Sequence, residues 1–252
     1  MSEIKNTSYT HQTYQSHASF VPLLTSKISS LLSPLPTDRI IDLGAGDLIL
    51  TSKLSHHCLQ ILGLDASKDL ITSGQSLFPP TTHPNLSSRI VDCRYLENED
   101  DVVAVYDALK PSDGKFIAEM GGFGNISEVH VAITSALHNR GIPLDKIKSA
   151  NPWFFPSEKH MRELLEETGF EVEMIESEYR PTELSFEDGD GEGGVKAWIQ
   201  MFGQRFLELV EDEAERAVVA GEARDLLEGV ARREDGRWVV GYVRLRWVAV
   251  KK

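Results

Sequence analysis

Cysteine is scarce in this chain. Cys58 and Cys93 are the only two of 252 residues. Two thiols at that separation build neither a disulfide framework nor a thiolate metal site, so both read as reduced core residues. Positive charge is also short, with 26 lysines and arginines against 39 acids and a net charge of −13. No cluster of Lys and Arg offsets that balance, which argues against a nucleic-acid partner. Apolar runs of membrane-spanning length are missing. The opening MSEIKNTSYTHQTYQSH is polar and lacks the apolar core of a secretion signal. The acids of EDGDGE, within 185–194, do not follow the spacing of a calcium loop. These absences predict a soluble, cytoplasmic protein with no metal and no membrane partner.

What the chain does have is concentrated in residues 40–67. IIDLGAGDLIL is an apolar run that ends in an acid, turns through two glycines and enters a helical pattern. ILGLDAS follows as a second apolar run ending in an acid. The pair reads as strand, glycine turn, helix, strand, with a carboxylate at the second strand's tip. Gly44 and Gly46 allow a tight turn and a close ligand approach. Asp65 follows Gly46 by 19 residues, near the spacing at which an acid meets ribose hydroxyls. A dinucleotide turn would want a further glycine where Ile49 stands, so NAD is the weaker reading.

The periodicity predicts a helix from Phe20 to Leu31, strands near 39–43, 60–65 and 88–93, and helices near 47–57, 68–77 and 100–110. KFIAEM at 115–120 reads as a strand, GGFGN as a turn, and Ile126–Asn139 as a helix. A helix capped by Ser157 and closed by Gly169 precedes a half-exposed strand at 170–179. The glycine-rich 185–194 reads as a mobile loop, followed by helix with Trp198, Phe202 and Phe206 on a core face. WVVGYVRLRWVAV reads as a long last strand. The fold class is therefore α/β: a Rossmann-like, doubly wound, mostly parallel sheet with an antiparallel edge and a helical insertion, about 193–232, before the last strand. Residues 1–37 form an N-terminal arm and helix, and 38–252 the main domain.

The sequence resembles the class I S-adenosylmethionine-dependent methyltransferases. IIDLGAGD is similar to that family's first motif, ILGLDAS to its second, RIVDCRYL to its third, and DALKPSDGKFIAEM to the segment around its fifth strand. YQSHASFVPLL, GGFGN, WFFPS and GYVRLRWVAV resemble the trans-aconitate methyltransferase-like branch, in its fungal form. The resemblance implies S-adenosylmethionine as cofactor. Asp42, Gly44, Ala45 and Gly46 would line its amino-acid portion. Asp65, with Ala66 beside it, would take the ribose hydroxyls, and Asp92 and Cys93 would lie by the adenine. Tyr14, in an arm that this branch folds over the cofactor, Asn125 and Trp153 are the candidate substrate contacts. His17, His130, Phe154 and Phe155 are secondary ones. No catalytic residue is assigned, because the cofactor brings the reactive bond and an acidic acceptor needs no general base.

Two departures stand out. Leu48 occupies a place where the family has a small residue, and a side chain there would crowd the turn or enter the cofactor site. RYLENEDD also runs directly into VVAVYDALKP, so the family's central fourth-strand segment is missing. The sheet is then one strand short, unless KFIAEM moves across to pair with the first strand. The expectation is methyl transfer to a small molecule, with an oxygen acceptor and a carboxylate favoured. The alternatives are an impaired methyltransferase-like pseudoenzyme, a truncated isoform, or a non-methylating lyase or cyclase on the same fold.

Overall fold

The computed structural model describes residues 26–92, 99–184 and 193–252. Helix α1 is Ser26–Leu32. Strands β1 (Arg39–Leu43), β2 (Gln60–Asp65) and β3 (Leu86–Ile90) alternate with helices α2 (Ile49–Ser55) and α3 (Lys68–Leu77). The three strands form one parallel ladder in the order β1-β2-β3, with Ile41 opposite Leu62 and Leu62 opposite Ser87. Parallel neighbours need a crossover, and α2 and α3 supply it. The helix after β1 begins later than its apolar pattern suggests, because Leu48 adopts the left-handed conformation at φ 63°.

The remaining chain builds a second ladder. Helix α4 (Glu99–Ala108) leads to β4 (Lys115–Gly121). Helices α5 (Ser127–Asn139), α6 (Leu144–Ser149) and α7 (Glu158–Thr168) follow, and then β5 (Phe170–Glu183). Helices α8 (Gly193–Phe202), α9 (Gln204–Leu207) and α10 (Glu213–Ala231) form the insertion before β6 (Val239–Lys251). β6 lies between β4 and β5 and is antiparallel to both. Period-two alternation sorts its residues. Leu245, Trp247 and Ala249 face a core with Met161 and Leu165 of α7 and Val102 of α4. At the start of β6, Trp238, Val240 and Tyr242 join Ile133 and Leu137 of α5 and the insertion's Trp198, Phe206 and Leu227. The Trp198–Phe206 stripe is thus core. α6 is a short helix that the sequence reading missed, entered through Pro143.

Among the described residues the two ladders share no strand pair: β1 ends one and β4 ends the other. The shift of KFIAEM onto the first strand does not occur; β4 pairs with β6 instead. Each half also keeps its own apolar clusters. Ala45, Leu48 and Ile71 form one, and Leu54, Cys58 and Ile61 another, separate from those of the second half. α1 touches both halves. Its Leu32 packs on the Leu54 cluster, and Lys27 Nζ lies 2.5 Å from Glu176 and 3.6 Å from Glu178 on β5. Ile41, in the middle of β1, is 49% exposed, which is unusual for an isoleucine in a strand that central.

Candidate active site

The C-terminal ends of β1, β2 and β3 lie together, as parallel register requires, and ligands of open α/β sheets bind at that edge. Gly44 and Gly46 take φ of +74° and +54° and turn the chain away from β1. A side chain at either position would meet nothing within 4 Å, so the turn fronts open space. The backbone N–H groups of Gly44 and Ala45 donate to Leu64 O at 2.8 and 2.9 Å, which moors the turn to β2. Asp65 completes the mooring. One carboxylate oxygen accepts from Gly46 N at 2.9 Å and the other from Ser67 N at 2.8 Å. A carboxylate has about four acceptor positions, so two stay available to hydroxyls. Ala66 lies between these anchors, and Ser67 caps α3 by accepting from Leu70 N.

Asp42 sits just below the turn. Its carboxylate accepts from Thr51 Oγ1 at 2.7 Å. Burial raises its pKa above the ordinary carboxylate value, the Thr51 hydrogen bond works against that rise, and the charge of Asp65 adds to it. Asp42 therefore sits close enough to Asp65 to feel its charge, in a buried position that penalises its own negative charge. Asp92 follows β3 at the same edge, where Val91 N donates to Asp65 O at 2.9 Å. Cys93 and Tyr14 lie outside the described residues, as does His17.

Leu48 does not enter this space. It is fully buried below the turn, in a cluster with Ala45 and Ile71. Two glycines make room for it. A Cβ at Gly63 would lie 2.7 Å from Leu48 Cδ2, and one at Gly74 would lie 2.7 Å from Leu48 Cγ. The expected crowding is relieved by those two small residues, and neither was evident as Leu48's counterpart in the sequence.

Of the candidate substrate residues, Asn125 and Trp153 gather at the C-terminal end of β4. Asn125 is buried, and its Oδ1 accepts from Val243 N at 2.8 Å, which ties the GGFGN turn to β6. It does not cap the helix; that position is held by Ile126 at φ 47°, without a side-chain cap. Ile126 is strained there and is held by its own N–H, which donates to Gly241 O at 2.8 Å. Trp153 stacks on Phe155 at 6.0 Å between ring centroids and meets His130 and Phe206 edge-on at 5.6 and 5.3 Å. Burial lowers the His130 pKa, so its imidazole is neutral at neutral pH. Phe155 lies directly over Gly121, where a Cβ would come within 2.4 Å of its ring.

The architecture defines a Rossmann-like domain of the class I methyltransferase type. No family model matches the chain. An uncharacterized methyltransferase of Schizosaccharomyces pombe is 33% identical over 266 residues, covering 95% of this chain and 96% of that protein. A candidate methyltransferase from Bacillus halodurans superposes with a TM-score of 0.57 at 9% identity, over 90% of this chain and 97% of its own. Phosphoethanolamine N-methyltransferase 2 of Haemonchus contortus, solved with phosphomonomethylethanolamine and S-adenosylhomocysteine, superposes with a TM-score of 0.52 at 17% identity. That match covers 95% of this chain and 56% of the worm enzyme. The chain belongs to the methyltransferase family of the fission-yeast protein.

Proposed function

We propose that the chain is an S-adenosylmethionine-dependent methyltransferase of small molecules, with an oxygen or carboxylate acceptor favoured. The observation that carries the cofactor assignment is the open space over Gly44 and Gly46, bounded by Asp42 and Asp65. A ligand bringing a cationic amino-acid end to Asp42 and a cis-diol to Asp65 satisfies both acids, and S-adenosylmethionine has that layout. Gly44, Ala45 and Gly46 would give it backbone contact, Ala66 would lie beside the ribose, and Asp92 and Cys93 would take the adenine. The cofactor, when bound, supplies the activated methyl group. The chain's part is to align the acceptor and exclude water. Trp153, with Asn125 and Tyr14, is assigned to the acceptor side. The quoted N-terminal and aromatic segments support membership of the trans-aconitate-like branch.

A second reading has its own support. The match to the fission-yeast protein runs over 266 positions, more than the 252 residues of this chain, so the relative carries residues with no counterpart here. Among the described residues β1 and β4 each keep an unpaired edge, which supports a family fourth strand absent from between them. We infer that this segment is the one missing, which makes the chain a shortened isoform or an impaired member that keeps the cofactor site. Calorimetric titration separates the readings. S-adenosylmethionine binding that Asp65→Ala abolishes, together with methyl transfer, supports the enzyme. The same binding without transfer supports the impaired form. No binding by folded protein overturns both.

A further inference from the structure

Helix α10 has two faces, and the outer one keeps apolar residues where a solvated helix carries polar ones. Val219, Ala220, Ala223, Leu227 and Ala231 are buried in the core that α10 shares with α5 and the rest of the insertion. On the other side the helical spacing lines up Glu215, Val218, Glu222, Leu226 and Gly229. Val218 is 48% exposed and Leu226 52%, and Val230, on the flank of this face, is 76% exposed. A Cβ at Gly229 would meet nothing within 4 Å, so the surface beside it is open. Isolated apolar residues are ordinary on a surface, but these lie along one helix and form a continuous stripe.

The order of residues on this face fits a second copy of the same helix. The intervals from Glu215 to Gly229 are three, four, four and three, so they read the same from either end. A copy laid antiparallel about Glu222 sets Val218 opposite the partner's Leu226, and Glu215 opposite the partner's Gly229, which leaves room for the longer side chain. Glu222 meets its own copy at the centre. Both Nη groups of Arg140 donate to it, so neutralised pairs meet there rather than bare carboxylates. The ends of the helix are complementary in charge. Glu211 and Glu213 stand at the N-terminal end and Arg233 just past the C-terminal end, and none of the three makes an ion pair among the described residues. A cleft of about 370 Å³ lined by Tyr179, Val230, Arg232 and Arg233 opens at that C-terminal end. We propose that α10 is a dimer interface: two copies of the chain pair antiparallel about Glu222 through Val218 and Leu226, and the acidic start of each α10 seats in the Arg232–Arg233 cleft of the other. Such a contact uses the same patch on both copies and therefore closes at two. It does not depend on the cofactor assignment.

Sedimentation velocity of the full chain tests the pairing. Wild type is expected to pass from one copy to two as its concentration rises through the micromolar range, since one helix face buries less than a standard interface. Leu226→Glu places a charge in the stripe and is expected to give a single copy with an unchanged circular dichroism spectrum, because Leu226 is half exposed before pairing. Arg233→Glu is expected to weaken the dimer by about tenfold or more. The register is read with a short bismaleimide in a Cys93→Ser background. Val218→Cys and Leu226→Cys chains are expected to crosslink when mixed and not when alone, because in the antiparallel pair two copies of either position are offset by about 12 Å along the axis. A wild type that stays single, an assembly of any size that Leu226→Glu leaves intact, or Val218→Cys chains that crosslink alone as readily as in the mixture would each overturn the pairing.

Discussion

Leu48 shows how one side chain can disagree with a motif and still leave its site intact. It accepts a left-handed backbone, which costs about 1–2 kcal/mol for a residue with a Cβ, and it is compensated by full burial. Gly74→Ala is expected to cost about 1–3 kcal/mol in urea unfolding, since the new methyl meets Leu48 Cγ and Asp47 O. Leu48→Ala alone is expected to cost about 2–5 kcal/mol. The double variant should fall short of the sum, because Leu48→Ala vacates space that the Gly74→Ala methyl fills. Asp42 gives a pH signature. Its folded pKa is raised, so the fold binds a proton more tightly than the unfolded chain does. Stability from this group is greatest at low pH and declines as pH climbs from the unfolded carboxylate value through the folded one. Asp42→Asn should remove that decline, seen as a narrowing stability deficit of wild type relative to the variant when urea midpoints are compared toward acid pH. The Asp65–Gly46 spacing was legible because it is a short-range pattern. The partnership of Leu48 with Gly63 and Gly74 was not, because it joins a turn, a strand and a helix that only the fold brings together.

At the level of elements, strands and long helices could be read from period and caps. Ser67 and Ser157 cap α3 and α7 as their positions suggest. β3 starts earlier than its apolar run indicates, since Leu86 and Ser87 pair with Ile61 and Leu62 of β2 regardless of polarity. α6 escaped notice because its six residues, LDKIKS, bury a single isoleucine. Strand pairing was the least legible feature: the sequence left open whether KFIAEM pairs with the first strand, and β4 pairs with β6 instead. Among the described residues β1 has a strand neighbour on one side only, so its amides should exchange faster than those of β6, which is bonded along both edges. Hydrogen exchange measured by mass spectrometry checks this, and equal protection of the two strands would contradict it.

For the molecule as a whole, separate ladders and separate apolar clusters predict two unfolding steps in scanning calorimetry. S-adenosylmethionine should shift only the step belonging to the half that holds Gly44, Gly46 and Asp65. Inserting a strand-forming segment between β3 and α4 that pairs with β1 should merge the two steps into one at higher temperature. Among the described residues β1 and β4 each keep one unpaired edge, and the two edges are unlike each other, so they suit head-to-tail addition better than a closed twofold pair. Contacts of that kind do not terminate. Concentrated protein would then grow into open-ended polymers, whose light scattering rises with concentration and falls when an added segment pairs with the β1 edge.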